Sequence, residues 1–169
     1  MAFEFTAENQ TEFERILSRY PQKRAALLPT LYLVQKQHGY VCKDAIGFIA
    51  EKLGIEPVQV YAVITFYTMF NLKPVGRFHL QLCNNISCML LGSEKLLAHL
   101  RSRLGIGLKE TTPDGLFTLS TVECLGSCGT APVLQINCDP YRENLGIEEL
   151  DRLLDELRAS AGDAPAAQE

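Results

Sequence analysis

Residues 77–88 read RFHLQLCNNISC, and residues 116–128 read LFTLSTVECLGSC. Both stretches open like a β-strand and close on a pair of cysteines. In RFHLQLC apolar and polar residues alternate with the two-residue period of a half-buried strand. LFTLSTVEC (116–124) reads as a second strand, rich in the β-branched and aromatic types that suit a pleated surface. Cys83 and Cys88 enclose four residues, whereas Cys124 and Cys128 enclose three. Each pair stands just past its strand, at the start of a loop. Two such loops leaving neighbouring strands at the same end would bring four sulfurs to one place. The 35 residues 89–123 lie between the pairs, room for a helix and a strand, so a folded unit joins them.

Working outward, Ser93 to Leu104 has Leu96, Leu100 and Leu104 on one face and predicts a helix, with Ser93 as its cap. PDG (113–115) predicts a turn, PVLQIN (132–137) a further strand, and Ile147 to Ala159 an amphipathic helix with leucines at 150, 153, 154 and 157. Upstream of the joint NLKPVGR (71–77) the patterns are helical. They comprise Ala7–Arg19, Lys23–His38 with a kink or fresh start near Pro29, Lys43–Leu53 closed by Gly54, and an apolar segment Val58–Phe70 opened by Pro57. That last segment is apolar nearly all round, and its length predicts a buried helix rather than a strand. The expected organisation is α+β: a helical domain at 1–76, an α/β domain at 77–158 in the order β-α-β-β-α, and a mobile tail at 159–169.

Of 169 residues, 47% are hydrophobic and 21% charged, the composition of a globular protein. A net charge of −4 gives no reason to expect nucleic acid as a partner. No apolar run approaches the ~20 residues of a membrane helix, so direct membrane insertion is not expected. MAFEFTAENQ carries acidic residues where a secretory signal would carry basic ones, and the expectation is a cytosolic chain. In a reducing cytosol, clustered cysteines bind metal or do redox chemistry more often than they form disulfides. Four thiolates suit structural zinc or an iron–sulfur cluster. Zinc favours tight C-x2-C corners, whereas a [2Fe-2S] cluster is broader and tolerates longer loops. Plant-type ferredoxins share the C-x4-C element and differ in the rest. A thiol-redox enzyme is a third class, although redox dithiols usually occupy C-x-x-C. Spacing alone leaves these open. No G-x-G-x-x-G follows a strand and no P-loop is present; GIG at 105–107 lacks the third glycine. With no nucleotide site visible, a cluster here would be an electron relay that needs partners.

CNNISCMLLGSEKLL, TVECLGSCGTAPVLQIN, YPQKRAALLPTLYLVQKQHGYV and VYAVITFYTMF together resemble the 24-kilodalton-type E-subunit family of respiratory NADH:quinone oxidoreductase, complex I. The likeness runs from about Arg15 to Leu157. It implies a helical bundle followed by a thioredoxin-like ferredoxin domain with one [2Fe-2S] cluster, whose ligands map onto Cys83, Cys88, Cys124 and Cys128. It also implies a partner subunit that binds FMN and NADH and exchanges electrons with the cluster. Other subunits of the peripheral arm, and a place at the inner face of the cell membrane, follow from the same resemblance. Related modules serve NAD-linked hydrogenases and formate dehydrogenases, and a four-cysteine zinc interaction module is the alternative outside redox chemistry.

Around the cysteines, Gly126 and Gly129 can take positive φ, letting the backbone come close and N–H groups point at sulfur. Asn84, Asn85 and Ser87 are candidate donors, and Ile86 and Leu125 candidate shields from water. Cys42 and Cys138 are expected to have no role, and His38, His79 and His99 to be ordinary packing or surface residues. Tyr61, Phe66, Tyr67 and Phe70 are expected in the core, with part of the FYTMF run as a candidate docking face. Glu148, Glu149, Asp151, Asp155 and Glu156 should form a solvated face of the last helix.

Overall fold

A computed structural model describes residues 3–162, and the chain divides between Pro74 and Val75 into two compact units. The first is helical. Helix α1 (Ala7–Leu17) begins at Thr6, whose hydroxyl accepts from the Asn9 N–H at 3.2 Å. A short 3-10 turn (Lys23–Ala26) leads into α2 (Leu27–His38). Pro29 therefore falls in the first turn of α2, where its missing N–H is harmless, and the helix starts afresh instead of kinking. Gly39 ends α2 at φ 81°, and Gly54 ends α3 (Lys43–Leu53) at φ 66°. Phe13, Leu31, Val34, Ile49, Leu53, Val60 and Ile64 are among the side chains of one buried cluster.

Helix α4 (Pro57–Phe66) departs from expectation. It stops at Tyr67, which is extended, and buries only Val60 and Ile64. Phe70 is buried and Tyr67 packs on the core, but Tyr61 is exposed and Phe66 is 77% exposed. The aromatic run is thus split between core and surface. An apolar segment signals a preference for leaving water; it does not say that its own chain supplies the cover.

The second unit carries a four-stranded sheet in the order β2-β3-β1-β4. Its members are β1 (Phe78–Cys83), β2 (Glu110–Thr111), β3 (Phe117–Val122) and β4 (Leu134–Ile136). β1 and β3 run parallel, with Cys83 opposite Val122, while β4 lies antiparallel to β1 and β2 antiparallel to β3. The β1-to-β3 crossover holds α5 (Ile86–Leu90), α6 (Ser93–Leu104) and β2. Helix α7 (Ile147–Gly162) follows β4, so residues 159–162 are helical and the rest of the expected tail lies outside the described residues. Leu80, Leu82, Phe117, Leu119, Leu134 and Ile136 share a core with Leu96, Leu100, Leu150 and Leu154.

β1 is not half-buried. It is an inner strand, and His79, Gln81 and Cys83 are buried along with Leu80 and Leu82. The polar pair is satisfied: His79 Nε2 meets Ser120 Oγ at 2.8 Å, and Gln81 Nε2 donates to the Asn137 carbonyl at 2.9 Å. The cap of α6 is Gly92, at φ 101°, not Ser93, which is its buried first residue. Only two residues separate α5 from α6, and the reversal needs a left-handed backbone that serine adopts poorly. On α7, Asp151 pairs with His99 at 2.8 Å and Asp155 with Arg103 at 3.2 Å, so part of the acidic face is tied to α6. At the start of the unit the Gly76 N–H donates to Thr118 Oγ1 at 2.6 Å. A Cβ at Gly76 would lie 2.9 Å from the Phe117 carbonyl carbon.

Candidate functional site

Two parallel neighbouring strands deliver the cysteines. Cys83 is the last residue of β1, and Cys124 comes two residues after β3 ends at Val122, so both loops leave the same end of the sheet. The loops are stitched together: the Asn84 N–H donates to the Val122 carbonyl at 3.1 Å and Asn85 Nδ2 to the Glu123 carbonyl at 2.7 Å. Cys88 lies in α5, whose cap is Asn85, with its side-chain oxygen accepting from the Ile86 N–H at 2.8 Å. Cys128 opens a three-residue 3-10 turn, Cys128–Thr130.

The two pairs differ in burial. Cys83 and Cys88 are each 3% exposed, in a small cluster with Ala131 and Val133 against which Val122 and Leu125 pack. Cys124 and Cys128 are exposed, and all six cysteines of the chain are free thiols. Burial, then the hydrogen bond with the Cys83 thiol, pushes the Cys88 thiol up, with Cys128 near enough to add to the rise. Gly126 takes φ 74°, and its N–H donates to Cys124 Sγ at 3.3 Å. Leu125 is where an apolar shield is expected. Ile86 is 67% exposed and shields nothing within this chain. Gly129 is not at positive φ, because it sits inside the 3-10 turn. Asn85 caps α5 and bridges the loops instead of facing a sulfur.

The profile of the thioredoxin-like [2Fe-2S] ferredoxin family matches residues 13–158. The chain belongs to that family. Relatives of this ferredoxin include the E 2 subunit of the NADH-quinone oxidoreductase of Rhizobium meliloti (strain 1021), 54% identical over 149 residues and 88% of each chain. NADH-quinone oxidoreductase subunit 2 of Thermus thermophilus is 43% identical, over 92% of this chain and 87% of the relative. Among solved structures, an NAD+-reducing [NiFe]-hydrogenase in the air-oxidized state superposes with a TM-score of 0.69. It is 20% identical, and the match spans 82% of this chain and 24% of that one, a likeness of fold.

The ferredoxin's residues fit the group for which the family is described. A [2Fe-2S] cluster takes four thiolates, and four free thiols are held on two stitched loops at one end of the sheet. Among the described residues, no three His, Cys, Asp or Glu side chains are gathered closely enough to hold a metal ion, the four cysteines included. Two further cysteines are those expected to be idle. Cys42 is the N-cap of α3, in the first unit. Cys138 follows β4, whose antiparallel course carries it to the opposite end of β1 from Cys83. GIG (105–107) begins at the left-handed end of α6, with Gly105 at φ 68°. Sequence reasoning missed α5 and the turn at Cys128. The Asx-type residue two places after a strand, Asn85, was the one available sign of a helix start.

Proposed function

We propose that this chain is the electron-carrying E-type subunit of an NADH-quinone oxidoreductase and holds one [2Fe-2S] cluster on Cys83, Cys88, Cys124 and Cys128. The observation that carries this is the delivery of the two cysteine pairs by the ends of adjacent parallel strands, in a chain 54% identical to a protein named as such a subunit. When bound, the cluster takes up and returns one electron. The chain's own residues hold and screen it. Cys83 and Cys88 approach from the core, where Ala131, Val133 and Leu125 exclude water on their side. The Gly126 N–H, donating to Cys124 Sγ, offsets negative charge on that sulfur. The exposed Cys124–Cys128 loop faces outward, the side from which a partner can exchange electrons.

The partner in this reading is the FMN- and NADH-binding subunit of the same complex, with other peripheral-arm subunits beside it. The assembly lies at the inner face of the cell membrane. No helix among the described residues is long and apolar enough to cross a membrane, consistent with attachment through partners. The test is anaerobic purification with metal analysis. Equal iron and sulfide, a rhombic EPR signal on adding dithionite, and copurification with a flavoprotein are expected. A colourless protein carrying one zinc, unchanged by dithionite, overturns the proposal.

A further inference from the structure

The exposed half of the cysteine site needs something to hold it, since neither strand nor core reaches Cys128. Ser127 and Thr130 bracket the turn that begins at Cys128, and their hydroxyls converge on one oxygen of Glu143. Ser127 Oγ–H donates to Glu143 Oε1 at 2.5 Å and Thr130 Oγ1–H to the same oxygen at 2.7 Å; the hydroxyl oxygens are 2.7 Å apart. An ionised carboxylate carries no proton, so it accepts both donors at once, which a hydroxyl or amide in its place could not do as strongly. The two bonds hold the Glu143 carboxyl below the usual carboxylate range. Glu143 is itself aimed by its neighbours. The Asn144 N–H donates to the Thr130 carbonyl at 2.7 Å with Asn144 at φ 51°, and the Leu145 N–H donates to the Pro132 carbonyl at 3.2 Å. Leu145 then anchors in the core. Residues 143–145 form a strap along 130–132.

Resting on the cluster assignment proposed above, we infer that Glu143 is a positioning residue for the cluster, clamping the Cys128 turn through Ser127 and Thr130 and holding the reduction potential down with its charge. The clamp and the charge are separable. Glu143→Gln keeps an oxygen acceptor without the charge, Glu143→Ala removes both, and Ser127→Ala with Thr130→Val removes the clamp and keeps the charge.

The test uses the full chain purified anaerobically with its cluster, reading three quantities: the rate of iron loss to a chelator, the EPR g-values of the reduced protein, and the midpoint potential. Glu143→Ala should lose iron roughly three- to fivefold faster, the scale of weak, solvent-exposed hydrogen bonds, and its g-values should shift. Glu143→Gln should restore most of the lifetime and the wild-type line shape, yet titrate at a more positive potential, more so at low ionic strength. The Ser127→Ala/Thr130→Val protein should lose iron as fast as Glu143→Ala, and adding Glu143→Ala to it should have no further effect on the rate. Wild-type rates, g-values and potential in Glu143→Ala overturn the inference, as do rate effects that multiply in the combined variant. If wild-type protein carries no iron and sulfide, the proposed function itself falls, and this inference with it.

Discussion

The two cysteine pairs of the proposed cluster site are made in different ways. Cys83 and Cys88 belong to regular structure. The first closes an inner strand with its N–H donating to the Val133 carbonyl at 3.0 Å, and the second rides on a capped helix. Cys124 and Cys128 stand in solvent on a loop whose shape comes from one left-handed glycine and a triangle of hydroxyl and carboxylate oxygens. The folded core presets one half, whereas the other rests on hydrogen bonds that water can compete for. Such a division lets half of a site stay rigid while the other half remains reachable from outside.

Removing the sulfurs one at a time should have the largest effect. Cys83→Ala, Cys88→Ala, Cys124→Ala and Cys128→Ala should all lose or alter the cluster, read from iron content and the visible spectrum. In the metal-free chains the halves should part. Cys83→Ala or Cys88→Ala deletes one buried heavy atom and should cost on the order of 1 kcal/mol, as one-carbon core deletions do. Cys124→Ala and Cys128→Ala should stay within about 0.5 kcal/mol, the range of surface substitutions. Urea unfolding measures this, and equal losses in both halves would refute the division.

A comparable effect, confined to the loop half, is expected from Gly126→Ala. At φ 74° a Cβ costs about 1–2 kcal/mol, although nothing lies within 4 Å of it. A lowered thermal midpoint together with faster iron loss is the expected outcome; an unchanged midpoint would mean that the loop relaxes freely.

A smaller effect should mark the built-in half and depend on pH. His79 lies on the same face of β1 as Cys83, and burial pushes its imidazole below the ordinary 6.5. As pH falls below 6.5, the unfolded chain takes up the proton before the folded one does, so this contribution is complete above 6.5 and drains away as pH drops through the folded-state value. Thermal midpoints at about pH 7.5 and about pH 5 should differ less in His79→Gln than in wild type. The least effect is expected outside both halves: Cys42→Ala and Cys138→Ala should leave the cluster's spectrum unchanged.

What could be read from the residues alone follows physical lines. The end of β1 and both cysteine pairs were legible, because period-two patterning shows where that strand stops and the loop begins, whereas β3 ends at Val122, two residues short of the expected 124. Residues 89–123 read as room for a helix and a strand, and the parallel pairing of β1 with β3 accommodates that crossover. Burial of β1 on both faces was hidden, because alternation marks a half-buried strand and the partners of His79 and Gln81, Ser120 and Asn137, lie 41 and 56–58 residues away. The five-residue α5 has too few turns for a period to show. The exposure of α4 could not be read from an apolar composition, which is the same for a helix in the core and one at the surface. The Glu143 clamp joins residues 13 and 16 apart across a loop with no periodic signal.

Gly76 bears on how the protein can be cut. Its amide is pinned to Thr118 and its α-carbon is pressed against the β3 backbone, yet it precedes β1 by two residues. A ferredoxin fragment beginning at Val75 keeps this seam, whereas one beginning at Arg77 loses the amide that donates to the Thr118 hydroxyl and leaves that hydroxyl its bond to Thr111. Fusion partners and protease sites are therefore best inserted upstream of Val75, and residue 76 itself has no room for a side chain.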